Sequence, residues 1–393
     1  MEEAKNIRKL TVESPLCNLD RWRDAHHEQW PETMRRLFAP LRAAAGWTGL
    51  AVADRPLQNL RKLTLHLNGS KDRYWDIGAG STAAIFAHPT LEELTISCAN
   101  LSDTAFSSVD NKAHQTTLKR LTLIECNVTI SSLRDMLALP KALQSLYLGG
   151  SALSLAPGRN PYRDLYGSEE PADTCAGENS YHHPSAFSVE SGALCKNDPP
   201  SFFAALAQQA KSLEQLDYET ANVTKGSATP SLPEQHAGLR DFVRLHTVTL
   251  AGMYCSEFEE VLLCSRMAPP MLTALHVVTI IDAGGAGGDG NGHPPLAWTR
   301  SMASALPNLA HVHVTILALS SPLGRWANFH RPTLQAAEAE FGARKLTLWV
   351  YKRNNWSNCF PPYLHGEEPN EGRLVYVSDG RGFVEQPRAT SEP

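Results

Sequence analysis

The sequence has no long hydrophobic run. No stretch approaches the ~18 to 20 apolar residues that a membrane-spanning helix needs. It also lacks an excess of one charge: the 393 residues include 20% charged side chains and a net charge of −5. That balance gives no electrostatic reason to expect nucleic acid or an anionic membrane as partner. The eight cysteines form neither CxxC pairs nor an evenly spaced framework, which argues against structural zinc and a disulfide scaffold. They read as reduced structural thiols. The start, Met1-Glu2-Glu3-Ala4-Lys5-Asn6, lacks the apolar core of a secretory signal. An intracellular protein, cytoplasmic or nuclear, is therefore expected. Hydrophobic content of 42% is enough for a folded core.

What the sequence has instead is a recurring phrase, Leu-x-x-Leu-x-Leu. Leu91 to Ile96, Leu118 to Leu123 and Leu143 to Leu148 carry it in succession, 27 and 25 residues apart. Looser copies begin at Ile7, Leu60, Leu213, Leu245, Leu272, Leu309 and Ala343. A period of 20 to 29 residues with this pattern marks a leucine-rich repeat, each unit supplying one short strand and a return segment. A single unit cannot bury its own apolar face, so the units must stack. The fold class expected is α/β: a leucine-rich-repeat solenoid over residues 1–378, with a parallel β-sheet on the concave face and helices on the convex face. A polar tail over 379–393 is expected to be disordered.

Helical spacing places the return segments. Met34, Leu37, Phe38 and Leu41 predict a helix within 19–45, and Ile130, Leu133, Met136 and Leu137 predict another over 131–139, stopped by Pro140. Asp103 to Val109 and Phe202 to Ala210 read the same way. Two segments break the period and are expected to be flexible insertions: 149–200, rich in Gly, Pro, Ser, Asn and Asp, and 282–295. The first stretches the spacing between Leu143 and Leu213 to 70 residues.

Strand side chains alternate faces, so positions 4 and 6 of the phrase point inward and positions 3, 5 and 7 line the concave face. Position 5 reads Thr11, Thr64, Thr95, Thr122, Tyr147, Asp217, Thr249, His276, His313 and Thr347. Stacked threonines are first a folding device, since Thr favours strands and pairs across them. The departures from threonine point to binding. Tyr147, Asp217, Glu219, His276, His311, His313 and Trp349 are the candidate partner-binding residues, because exposed aromatics commonly anchor protein interfaces.

Catalytic and cofactor signatures are weak. Gly285-Ala286-Gly287-Gly288-Asp289-Gly290 matches G-x-G-x-x-G, but Asn291-Gly292-His293-Pro294-Pro295 follows where a helix should open. It reads as a flexible loop, and no cofactor is expected. His311 and His313 share a strand face with His276 on the next strand. A metal site needs three or four supported ligands, so surface histidines are the preferred reading. His26-His27 and His182-His183 read as solvated. Cys195 sits in the long insertion without the local signature of a nucleophile.

The run Leu118-Lys119-Arg120-Leu121-Thr122-Leu123-Ile124-Glu125-Cys126-Asn127, continuing through Ile130 and Leu133 to Leu143, resembles the cysteine-containing repeat of F-box/leucine-rich-repeat proteins. Lys211 to Tyr218 and Phe258 to Pro270 resemble fungal members of that group. The resemblance spans most of 50–320 and implies a substrate receptor of a cullin-type ubiquitin ligase, with the solenoid holding the target and an F-box docking a Skp-type adaptor. The Leu-Pro-x-Glu opening of an F-box does not precede the repeats. The leading expectation is a non-enzymatic, monomeric protein-protein interaction module that grips an unidentified protein target on its concave face. The alternative is the F-box-like receptor, and the third is an enzyme with a site under the 149–200 loop.

Overall fold

All ten repeat phrases become parallel strands, six in one compact unit (Met1–Glu234) and four in another (Gln235–Pro393). The computed structural model describes residues 6–13, 30–45, 55–66, 79–97, 99–101, 114–124, 126–149, 189–190, 194–219, 232–233, 235–251, 256–281, 305–318, 335, 338–339, 341–343, 345–354, 373–378 and 382–383. Asp103–Val109, the histidine pairs, the glycine-rich loop and the tail after Phe383 lie outside the described residues. The protein is a mixed α/β molecule whose sheets are open. Among the described residues no helix is long and apolar enough to cross a membrane.

In the first unit the strands are β1 (Lys9–Glu13), β2 (Lys62–His66), β3 (Glu93–Ser97), β5 (Arg120–Ile124), β7 (Ser145–Gly149) and β9 (Gln215–Glu219), paired in that order and all parallel. A smaller sheet pairs β4 (Asn100–Leu101) parallel to β6 (Asn127–Val128), and β6 antiparallel to β8 (Val189–Glu190). Return helices are α1 (Trp30–Ala44), α2 (Ala79–Phe86), α3 (Ile130–Ala138), the short α4 (Leu194–Asn197) and α5 (Pro199–Leu206). α3 begins where Thr129 accepts the Ser132 N–H, the usual way a hydroxyl satisfies an orphan helix donor. Of its predicted stripe, Leu133, Met136 and Leu137 are fully buried, while Ile130 at the first turn is half-buried. Phe38 and Leu41 of α1 are buried as the spacing predicts.

From the second phrase onward the inward positions behave as the phrase demands, while Leu10 and Val12 of the first are half-buried. Leu63, Leu65, Leu94, Ile96, Leu121, Leu123, Leu146 and Leu148 are all at most 1% exposed. Each such burial is worth roughly 1.5–3 kcal/mol, so the repeat is also the core. Cys126 is buried, with its thiol donating toward the Ile96 and Ile124 carbonyls.

Two devices set the register. Successive N–H groups at positions 2 and 3 share one carbonyl of the preceding strand, as when Glu92 and Glu93 both donate to the Arg61 carbonyl, and Lys119 and Arg120 to that of Glu92. The side chains at those positions alternate in sign. Glu92 bridges Arg61 (2.9 Å) and Lys119 (2.8 Å), while Glu93 bridges Lys62 (3.2 Å) and Arg120 (2.7 Å). The pairs are exposed and weak individually. A one-strand slip would nevertheless set like charges side by side.

The second unit contains β10 (Thr247–Ala251), α6 (Ser256–Leu263), β11 (Ala274–Ile281), β12 (His311–Ala318) and β13 (Thr347–Asn354), with the four strands parallel. Two antiparallel strands follow, β14 (Arg373–Val377) and β15 (Gly382–Phe383). β11, β12 and β13 are eight residues long where those of the first unit have five.

The long insertion differs from expectation at its end. Residues 189–190 form β8 and 194–200 enter α4 and α5, with Leu194, Cys195 and Pro199 buried. Cys195 is fully buried and its N–H donates to the Tyr218 hydroxyl at 3.2 Å. This thiol belongs to the core. Phe202, packed on Tyr218 at 5.4 Å between ring centroids, completes that cluster.

Candidate functional site

The register of the parallel strands decides which candidate residues meet. In the first unit the position-5 column runs Thr11, Thr64, Thr95, Thr122, Tyr147 and Asp217, as the phrase predicts. Position 7 departs from the expected open face at its centre: Ser97, Ile124 and Gly149 are buried. Ser97 donates to the Leu65 carbonyl at 3.3 Å. Gly149 is covered by the Tyr147 ring itself, which occupies the space where a Cβ at 149 would stand.

Tyr147, Asp217 and Glu219 come together as one cluster. The ring of Tyr147 lies along β7 over Gly149, and its hydroxyl donates to Glu219 Oε2 at 2.5 Å. Glu219 is the register partner of Gly149, so the missing side chain at 149 opens the path between tyrosine and carboxylate. Asp217 accepts from Gln215 Nε2 at 2.7 Å. Both carboxylates stand on β9 beside Tyr147 and Gly149 of β7, giving this face an acidic, aromatic patch. Gly149→Ala should displace the ring and cost about 1–3 kcal/mol by overpacking. In a Tyr147→Ala background the same change should cost less than half as much, because the obstructing ring is gone. Urea midpoints of the four proteins measure this coupling.

The second unit gathers His276, His311, His313 and Trp349. His276, His313 and Trp349 are direct register partners across β11, β12 and β13. Ring centroids are 4.3 Å apart for His276–His313, tilted by 37°, and 4.5 Å for His313–Trp349, at 26°. His311 sits beside Trp349 at 5.2 Å. Trp349 therefore takes the column place expected for Thr347, which pairs with His311 instead. The phrase at Ala343 is displaced by two residues, and an even slip keeps every side chain on its own face.

Sequence reasoning missed Tyr351. It lies 5.9 Å from His313 with the rings 6° from parallel. The signal was its spacing two residues beyond Trp349, hidden because the phrase ends before the strand does.

The His313 imidazole is held down to about 4 by burial first, then by the neighbouring charges that His276 and His311 would carry. It is neutral at neutral pH. Among the described residues no three His, Cys, Asp or Glu side chains are placed to hold a metal ion. No protein-family profile matches this chain, and no curated protein matches it either.

Proposed function

We propose that the chain is a leucine-rich-repeat solenoid, non-enzymatic, that binds a protein target on the open, concave face of its repeat strands. The observation that carries this reading is the placement of Tyr147, Asp217 and Glu219, and of His276, His311, His313 and Trp349, on the strand face where the other repeats carry threonine. Threonine columns serve folding, whereas half-buried aromatic and ionisable groups on an open face supply the anchors that interfaces use.

Affinity purification of the tagged full chain tests the reading. Trp349→Ala should lower recovery of a bound protein by about tenfold or more. Val243→Ser, at an exposed apolar residue in the turn before β10, should leave recovery unchanged. Identical recovery with all three proteins would defeat the reading.

A second reading, an F-box-like substrate receptor, is favoured by the burial of Cys126 and Asn127 at the positions that the cysteine-containing repeat implies. Co-purification of a Skp-type adaptor distinguishes it, with α1 (Trp30–Ala44) as the segment to delete. Recovery of the target without the adaptor would leave the binding module and remove the ligase.

A further inference from the structure

We propose that the open face of β11, β12 and β13 recognises an acidic segment of the target protein, whose carboxylates are received by the edges of the His313 and Trp349 rings and by His311. This rests on the reading that the open face is where a protein docks, and it names the chemistry of what docks there.

The argument begins with ring orientation. Neighbouring strands lie about 4.8 Å apart. Centroid separations of 4.3 and 4.5 Å between rings on adjacent strands, at tilts of 37° and 26°, mean the rings face one another across the sheet. Their stacking axis therefore runs from strand to strand, and their edges rise from the sheet. An aromatic ring is electron-rich on its face and positive at its edge. Stacking spends the faces, which a guanidinium or ammonium ion would need. It leaves the edges of His313 and Trp349, with their imidazole and indole N–H donors, for a partner that accepts.

Charge points the same way. Among the residues of alternate parity on β10 to β13 that share this face and whose side chains are described, none is a carboxylate. Among the described residues, the titratable groups packed around His313 are His276 on β11, His311 on β12 and Tyr351 on β13. The basicity of His313 is depressed first by burial and then by repulsion from His276 and His311. A carboxylate arriving beside the ring would favour its protonated form, so binding and proton uptake should be linked.

The test uses the full chain and three fluorescein-labelled ten-residue peptides alternating glycine with Glu, Lys or Gln, read by fluorescence anisotropy. The Glu peptide should bind about tenfold tighter than the Gln peptide. Its affinity should rise severalfold between pH 7.5 and 6.0, where its carboxylates remain ionised. The double variant His311→Gln/His313→Gln should abolish the preference. Trp349→Phe, which keeps a ring and loses the indole N–H, should weaken it partly, and unchanged urea midpoints would show both variants folded.

Equal binding of the Gln peptide, or tighter binding of the Lys peptide, would overturn the acidic chemistry. If that binding were still lost in the histidine variant, the face would stand as a docking site for a different partner. Tighter binding of a ten-nucleotide single-stranded DNA would overturn the proposal in favour of nucleic acid. Binding of no peptide would also overturn it, while the Trp349→Ala purification judges the docking face independently.

Discussion

Replacing Gln209 with leucine is expected to destabilise the first unit by about 3–5 kcal/mol, because it strands several buried backbone groups at once. Gln209 is 3% exposed and lies just before β9. Its Nε2 donates to the carbonyls of Leu137 (2.7 Å) and Pro140 (3.1 Å). Its Oε1 accepts from the Leu143 N–H (2.9 Å) and the Ser212 hydroxyl (2.8 Å). One amide thus ties the end of α3 and the turn into β7 to the turn into β9. It does so across the long insertion, where chain connectivity cannot hold the neighbours together.

Leucine fills the volume but offers no donor or acceptor. Glutamate should fare no better near pH 7, since its carboxylate would face two carbonyl oxygens. The exposed neighbour provides the contrast: Gln208→Leu should change stability by less than about 0.5 kcal/mol. Urea midpoints of the three variants decide the matter. A Gln209→Leu midpoint equal to that of Gln208→Leu would show that the clamp does not bear on stability.

Acidification is expected to cost the first unit about 3 kcal/mol between pH 6.5 and 4 through His88 alone. This histidine follows α2 and is 1% exposed. Burial holds its pKa down to about 4 against an ordinary value of 6.5, and a hydrogen bond to the Leu57 backbone opposes the shift only in part. Its Nδ1 receives the Thr90 N–H at 3.4 Å.

Between the two values the unfolded chain holds a proton that the folded chain does not, so unfolding gains with every drop in pH. The stabilisation is complete above pH 6.5, is lost progressively down to about pH 4, and changes no further below that from this group. His88→Asn keeps an acceptor for Thr90 and removes the titration. Its urea midpoint should be flatter than the wild type's across pH 6.5 to 4. Parallel slopes for the two proteins would contradict the assignment.

The strand face alternation was plain in the sequence because burial of positions 4 and 6 depends only on period two. All ten phrases found their strands for this reason, including the loose ones at Ile7 and Ala343. Register was harder. The signs at positions 2 and 3, basic in Arg61-Lys62, acidic in Glu92-Glu93 and basic again in Lys119-Arg120, were present as a pairing code that hydrophobic pattern alone does not read. The two-residue displacement that seats Trp349 beside His313 leaves the faces unchanged, so nothing in the apolar pattern could reveal it.

The candidate clusters were legible as departures from threonine, but not their internal geometry. That Gly149 is the space for the Tyr147 ring depends on a rotamer, and rotamers follow from packing. Gln209 was invisible for the same reason. A polar residue at the end of a predicted helix looks solvated until the neighbouring turn is brought over it. Cys195 was misplaced because composition marked its segment as loop, whereas local packing on Tyr218 draws its last residues into the core.

The proposed docking face is tested most directly by hydroxyl-radical footprinting of the full chain, alone and with a protein recovered by the affinity purification. Binding on the repeat strands should reduce oxidation of Trp349, Tyr351 and His311, while Met271, an exposed residue in the turn before β11 at 51% accessibility, should be oxidised equally in both samples. Protection of Met271 with Trp349, Tyr351 and His311 unchanged would place the partner elsewhere and contradict the account.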